Sequence, residues 1–205
     1  EATSRSQLIM YGSTGSNYGS VEEICTEDTP LNPLSLYGQT KTLAERMLME
    51  ERNTVAFRFA TAFGISPRLR LDLLVNDFTY KAVKEGYLVI YEKHFMRTFI
   101  HVSDMGRAFI FGIDNSGSMA GNVYNIGSET MNYSKEQICE LIRNETNAYI
   151  HYADVGEDAD KRNYIVSYKK INSLGYHTET TIEQGIRELA EVCKVIEFRN
   201  PYSNV

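Results

Sequence analysis

Short apolar runs alternate with a helix-like stretch in the first third of the chain. Residues 7–11 and 55–60 are apolar runs of strand length, and both are typical of buried strands. Between them, from Ser35 to about Arg52, apolar side chains recur at helical spacing. Because strands that alternate with helices usually pair in parallel, the pattern predicts an α/β fold built on a parallel sheet.

The pattern changes beyond Gly64, where a loop with proline and arginine precedes a second set of elements. We predict one unit over residues 1–64 and a C-terminal lobe that occupies most of residues 65–205, with a segment from about 97 to 127 returning to the first unit. Ser103 and Asp104 are predicted to cap a helix over 105–113. The remaining predicted elements are a helix from about 71 to 84, strands at 88–91, 97–102 and 122–127, a helix opened by a capping box of Ser134 and Gln137, and a last helix from 181 to about 193.

Length, composition and net charge limit the classes of protein to which this chain could belong. The chain has 205 residues, 42% of them hydrophobic, which is enough for one sizeable core. Its formal charge of −6 gives no broad basic surface, so we expect no nucleic-acid partner. No apolar run approaches the roughly 20 residues that cross a bilayer, and we expect a cytoplasmic protein with no membrane partner. The three cysteines lie outside any metal-ligand spacing, so the sequence predicts no disulfide and no metal site: Cys25, Cys139 and Cys193.

The strongest chemical signal is Tyr37 with Lys41, four residues apart on one predicted helical face. An unperturbed phenol, with a pKa of about 10, is a poor base at neutral pH, but a nearby ammonium favours its ionised form. Thr14 ends the first predicted strand, where its hydroxyl could bond the same substrate oxygen. The alternative interpretation of Thr14 is a turn hydroxyl that caps its own backbone. His101 is predicted to be a hydrogen-bonded structural residue.

Three ordered motifs carry a family resemblance: residues 13–19 (STGSNYG), 30–41 (PLNPLSLYGQTK) and 97–104 (RTFIHVSD). Together they resemble the extended short-chain dehydrogenases/reductases, the NAD-dependent epimerase/dehydratase family. The resemblance implies a Rossmann-like parallel sheet with a smaller C-terminal α/β substrate lobe, and NAD as cofactor. Residues 59–68, 71–78 and 156–162 look most like bacterial enzymes that oxidise C4 of a GDP-heptose.

The resemblance also implies roles for individual residues. Tyr37 would be the acid/base at the C4 hydroxyl, Lys41 would hold the nicotinamide ribose and favour the phenolate, and Thr14 would bond the C4 oxygen. Ser13 would lie beside the nicotinamide. The remaining implied contacts are Phe59 and Thr61 to the cofactor, and Arg97, Arg162 and Asn76 to the substrate, the two arginines at its phosphates.

Departures from the family pattern restrict the reaction. Sugar 4,6-dehydratases of the family follow the threonine with an Asp-Glu pair, whereas this chain has Gly15 and Ser16. The family's 3,5-epimerases use a cysteine where Ser16 stands. Redox chemistry at C4 of a nucleotide sugar remains, as a 4-dehydrogenase or a 4-epimerase.

Two further expectations concern the whole protein. The family opens with a glycine-rich strand, loop and helix that receive the cofactor pyrophosphate, and this chain contains no such motif, so we expect an additional N-terminal region. A homodimer is expected through a helix pair that includes the Tyr37 helix. The alternatives to an enzyme are a non-catalytic or regulatory binding member of the same fold and a structural partner completed by another chain.

Overall fold

The computed structural model describes residues 7–51, 53–153, 156 and 163–196. The strands are β1 Ile9–Thr14, β2 Ser20–Cys25, β3 Thr54–Phe59, β4 Thr61–Phe63, β5 Tyr87–Ile90, β6 Met96–His101, β7 Asn122–Ile126, β8 Asn132–Ser134, β9 Tyr149–Tyr152 and β10 Asn163–Val166. The helices are α1 Leu36–Met49, α2 Leu74–Glu85, α3 Val102–Asp114, α4 Ser116–Met119, α5 Lys135–Thr146, α6 Lys169–Asn172 and α7 Ile182–Val195. Short 3-10 helices span Gly15–Asn17 and Glu129–Met131.

The first sheet is parallel, in the order β1-β3-β7, as the alternation of strands and helices predicts. Its register places Thr14 level with Phe59, and Phe59 level with Ile126, so the three strands end together. In open α/β sheets, ligands bind at the carboxyl ends of the strands. The side chains at and beyond Thr14 and Phe59 therefore lie at the edge where a binding site is expected.

Helix α1 packs closely on the loop that follows β1. Ser35 caps the helix, and its hydroxyl accepts a hydrogen bond from the Gly38 backbone N–H at 3.1 Å. A Cβ atom on Gly38 would stand 2.9 Å from the Pro33 Cβ and 3.2 Å from the Ser16 carbonyl oxygen. Glycine at this position allows the first turn of α1 to approach the end of β1, and this turn carries Tyr37.

The second half of the chain forms further pairings. Strand β4 follows β3 after Ala60 and joins a second sheet in the order β4-β6-β8, in which β6 and β8 are antiparallel. Strand β5 pairs in parallel with β9, and helices α2, α5 and α7 pack over a second hydrophobic cluster that includes Phe63, Leu88 and Leu189. The first cluster, centred on Phe57 and Ile126, also contains Tyr164 and Tyr168. Residues beyond the predicted 97–127 segment thus pack against the first sheet as well, through β10, which pairs with β2.

Most predicted elements are confirmed, including the capping box at Ser134 and Gln137, and α7 begins with a second box, of Thr181 and Gln184. The predicted cap of α3 is wrong by two residues. His101 is the capping residue, and its Nδ1 lies 2.7 Å from the Ser103 Oγ. Asp104 lies in the first turn, where its buried carboxylate accepts hydrogen bonds from the backbone N–H groups of Glu179 and Thr180, and it therefore anchors the segment before α7.

Among the residues that the structure describes, no helix is both long enough and apolar enough to cross a bilayer.

Candidate active site

A cleft of about 520 Å³ opens at the carboxyl ends of β1 and β3. Its walls come from the end of β1, the first turn of α1, the segment after β3, the loop before α2, and α3. The lining residues that the sequence predicts to be functional are Ser13, Thr14, Tyr37, Phe59 and Thr61. Five predicted residues, separated by up to 48 positions in the chain, thus share one cavity.

Tyr37 and Thr14 present two hydroxyl groups to this cleft. Tyr37 lies in the first turn of α1 and is 58% exposed, so its phenol is accessible to a ligand. Thr14 is buried, and its Oγ1 accepts a hydrogen bond from the Ser16 backbone N–H at 3.1 Å, which caps the short 3-10 helix. The turn-capping interpretation of Thr14 is therefore correct. The same hydroxyl keeps its own proton for donation to a ligand, so the two interpretations are compatible.

Lys41 lies one turn after Tyr37 on α1, and its ammonium points to the end of β1. The Nζ atom donates a hydrogen bond to the Gly12 carbonyl oxygen and stands 4.4 Å from the centre of the Tyr11 ring. Gly12 itself lines the cleft. The cation therefore lies one hydrogen bond from a residue that lines the cleft, although Lys41 itself is not among the lining residues.

Ser13 is held from behind by a buried carboxylate. Its hydroxyl donates to Glu45 Oε2 at 2.5 Å and accepts from Asn17 Nδ2 at 3.1 Å. Glu45 lies on α1, one turn beyond Lys41. This bond and the bond from Lys41 to Gly12 both connect α1 to β1, and together they fix the helix that carries Tyr37.

The sequence analysis missed the buried ion pair behind the cleft. Arg58, the second-last residue of β3, donates to Glu45 through Nε at 3.1 Å and Nη2 at 2.6 Å, and through Nη1 to the Tyr18 hydroxyl at 3.1 Å. Burial by itself lowers the pKa of Arg58, but the hydrogen bond with Glu45 raises it above its usual value. Burial raises the pKa of Tyr18 to about 12, although the Arg58 charge acts in the opposite direction. Two sequence signals point to this pair: Glu45 extends the spacing of Tyr37 and Lys41 by one more turn, and Arg58 interrupts an apolar strand.

The predicted substrate contacts Arg97 and Asn76 are buried away from the cleft lining. Arg97 lies on β6, and its Nη1 donates to the Met96 carbonyl oxygen at 2.9 Å. The Asn76 amide accepts from the Gly64 N–H and donates to the Arg70 carbonyl oxygen, both at 3.0 Å. Arg162 lies outside the residues that the structure describes. Direct substrate contacts by these three residues stay predictions.

Arg70 and Asp72 also line the cleft, and the sequence analysis assigned them no role. They form a two-point ion pair, with Arg70 Nε 2.6 Å from Asp72 Oδ1 and a second bond from Nη2 to Oδ2. The hydrogen bond from Arg70 lowers the pKa of Asp72, and the same bond raises the pKa of Arg70. Tyr37 lines the same cleft as this ion pair.

The remaining titratable groups have structural surroundings. Burial lowers the pKa of His101, whose Nε2 lies 3.5 Å from a carboxylate oxygen of Glu188. Within the described part of the chain, no group of three or more histidine, cysteine or acidic side chains could hold a metal ion. The cysteines are buried free thiols, as predicted: Cys25, Cys139 and Cys193.

Comparison with known families identifies the family to which this fold belongs. Residues 1–127 match the model of the NAD dependent epimerase/dehydratase family. The chain belongs to this family. Its first half, which carries Thr14, Tyr37 and Lys41, lies within the matched region.

Relatives in the epimerase/dehydratase family are longer than this chain. It is 26% identical over 199 residues to the trifunctional UDP-glucose 4,6-dehydratase, 3,5-epimerase and reductase RHM1 of Arabidopsis thaliana. The aligned region covers 92% of this chain and 29% of the plant protein. Among solved structures it is similar to the UDP-glucose 4-epimerase of Thermus thermophilus in complex with NAD (TM-score 0.77, 19% identity, 91% of this chain and 63% of that one). It is also similar to a variant of the UDP-glucuronic acid 4-epimerase of Bacillus cereus with a fluorinated substrate analogue and NAD (TM-score 0.80, 21% identity, 90% and 60%). The chain thus spans less than two thirds of the relatives that it resembles.

Proposed function

We propose that the protein containing this chain oxidises C4 of a nucleotide sugar with NAD, as a 4-dehydrogenase or a 4-epimerase. One observation carries the proposal: Thr14 and Tyr37 line a single cleft, and the Lys41 ammonium bonds to the carbonyl oxygen of Gly12, which lines the same cleft. Family membership supports the class of enzyme.

The described residues fit the nicotinamide end of the cofactor. The cleft lies at the carboxyl edge of a parallel sheet, where dinucleotides bind in related folds. Ser13, Phe59 and Thr61 would line the nicotinamide, and Lys41 would move from the Gly12 carbonyl to the nicotinamide ribose. When bound, NAD supplies the hydride acceptor for the sugar C4–H bond.

Tyr37 acts as the base in this proposal. Its phenolate removes the proton of the C4 hydroxyl, while the Thr14 hydroxyl donates a hydrogen bond to the same oxygen. Positioned acid/base groups of this kind contribute about 10²- to 10⁴-fold to rate, so Tyr37 is the residue whose loss is most informative.

Two features favour C4 redox chemistry over dehydration. The positions after Thr14 are Gly15 and Ser16, which offer no carboxylic acid and no carboxylate for elimination of water. Both residues are buried within the 3-10 helix that Thr14 caps.

The test uses the full-length protein with Tyr37→Phe and, as matched control, Tyr149→Phe, which alters an exposed tyrosine of β9 outside the cleft. GDP-heptoses are the first substrates to assay because of the resemblance at residues 59–68 and 71–78. We expect Tyr37→Phe to lower kcat by about 100-fold or more with NAD affinity retained, and the control to be unaffected. Full activity of Tyr37→Phe would overturn the proposal.

The fate of the reduced cofactor separates the two reactions. A dehydrogenase releases NADH and a ketone, whereas a 4-epimerase yields the C4 epimer with no net reduction. Binding of NAD and nucleotide sugar by the wild-type protein with neither product would favour the non-catalytic alternative.

A further inference from the structure

The Arg70–Asp72 ion pair is a built part of the cleft. Both side chains line the cavity that contains Tyr37, and they remain partly accessible, with 36% and 19% of their side-chain surfaces exposed. Two hydrogen bonds join the guanidinium to the carboxylate. A ligand that reaches Tyr37 therefore meets this pair as a unit.

The backbone beneath the pair is fixed by Asn76. This buried amide donates to the Arg70 carbonyl oxygen and accepts from the Gly64 N–H, and it thereby connects the loop before α2 to the end of β4. Gly64 has a φ of +110°, and a Cβ atom there would stand 2.3 Å from His101 Nε2, so the turn requires glycine. The pair is preorganised by groups outside the cleft.

The chemistry of the pair differs from that of a lone arginine. Asp72 engages two of the five N–H donors of Arg70, and its own oxygens retain further lone pairs. The unit is electrically neutral and offers donors next to acceptors. Sugar hydroxyls both donate and accept, and they match such a surface. A ligand carboxylate would have to compete with Asp72 for the guanidinium and would lie beside a like charge.

We propose that Arg70 and Asp72 bind hydroxyl groups of the sugar ring and select a nucleotide sugar with an uncharged sugar over the corresponding nucleotide uronic acid. The inference rests on the proposed function, because it names the substrate class of the same cleft. It also assigns Asn76 as a positioning residue that acts through the backbone of Arg70.

The test measures binding by calorimetry to the full-length protein in the presence of NAD. The probes are two pairs that differ only at C6: UDP-glucose with UDP-glucuronic acid, and GDP-mannose with GDP-mannuronic acid. Within each pair the nucleotide is constant, so the ratio of dissociation constants reports on the sugar alone. The wild-type protein is expected to prefer the neutral member by about 10-fold or more, because the ligand carboxylate would lie beside Asp72 and would compete with it for the guanidinium.

Asp72→Asn leaves the guanidinium charge without its carboxylate. We expect this variant to lose the preference for the neutral nucleotide sugar or to reverse it toward the uronic acid. Arg70→Met should weaken binding of the neutral nucleotide sugar without strengthening binding of the uronic acid. Asp77→Asn is the matched control, because Asp77 pairs with Lys81 on the surface of α2, outside the cleft lining. An unchanged ratio in Asp72→Asn, or a wild-type preference for the uronic acid, would overturn the inference.

Turnover measured on the same samples separates this inference from the proposed function. C4 oxidation together with an unchanged Asp72→Asn ratio leaves the function standing and removes the inference. A shifted ratio without turnover of any nucleotide sugar, GDP-heptoses included, does the reverse. Absence of binding of both probe pairs to the wild-type protein removes the inference, while turnover of GDP-heptoses still tests the function.

Discussion

The buried Glu45–Arg58 pair offers a quantitative test of how the catalytic helix is held. Both side chains are almost fully buried, at 3% and 6% exposure, and Glu45 accepts hydrogen bonds from Arg58, Ser13 and Asn17. Glu45→Ala removes the partner of a buried guanidinium, a change that costs about 3–5 kcal/mol in comparable pairs. The Glu136→Ala control breaks the surface ion pair between Glu136 and Lys93, whose side chains are 43% and 48% exposed. A pair of this kind contributes about 0–1 kcal/mol.

Urea unfolding of the full-length protein at constant pH measures both free energies, provided that the transition is two-state. A double variant, Glu45→Leu with Arg58→Met, should recover much of the loss, because replacing a whole buried ion pair with apolar side chains is often neutral. If Glu45→Ala costs no more than Glu136→Ala, or if the double variant is less stable than Glu45→Ala, the network does not hold α1 as described.

Three further predictions concern packing, thiol reactivity and assembly. Gly38→Ala should destabilise the protein by about 1–3 kcal/mol and reduce turnover, because the added Cβ would meet Pro33 and the Ser16 carbonyl. The control Gly106→Ala lies in α3 with open space around it and should be neutral or stabilising in urea unfolding. Equal effects of the two variants would contradict this packing. Burial raises the pKa of the Cys25 thiol to about 11 and that of Cys139 to about 12, and it also raises the pKa of Cys193. A thiol reagent at pH 8 should therefore label these cysteines only after the protein unfolds. Rapid labelling of the native protein, located by peptide mass mapping, would refute their burial. If the proposed homodimer forms through α1, Leu43→Glu, at a side chain 60% exposed, should yield monomers in sedimentation, and an unchanged dimer would exclude this face.

The sequence predicts those parts of the fold whose signal is local. Strands β1 and β3 are apolar runs, and the capping residues of α5 and α7 mark where these helices begin. Strand β2 was missed because only half of its sequence, SVEEIC, is apolar and most of it is exposed, and its assignment depends on pairing with β10 across more than 130 residues.

The residues of the candidate site also differ in whether a local sequence signal predicts them. Thr14, Tyr37 and Lys41 are predictable because a strand end and a helical spacing of four place them; Thr14 and Tyr37 line one cleft, and Lys41 bonds to Gly12 in its lining. Arg70 and Asp72 gain their importance only from tertiary contacts, because their ion pair lines the cleft. The substrate contact that the resemblance implies for Asn76 stays a prediction, and in the structure both ends of its amide bond to the protein backbone.

The most direct measurement of the central claim follows the C4 hydrogen itself. The full-length protein is incubated with NAD and a nucleotide sugar that carries deuterium at C4, and the reaction is stopped within one turnover. The account predicts deuterium on the nicotinamide in the wild-type protein and, in Tyr37→Phe, a rate of transfer lower by about 100-fold or more. A wild-type protein that turns the sugar over while deuterium never leaves C4, or a Tyr37→Phe variant that transfers it at the wild-type rate, would contradict the account.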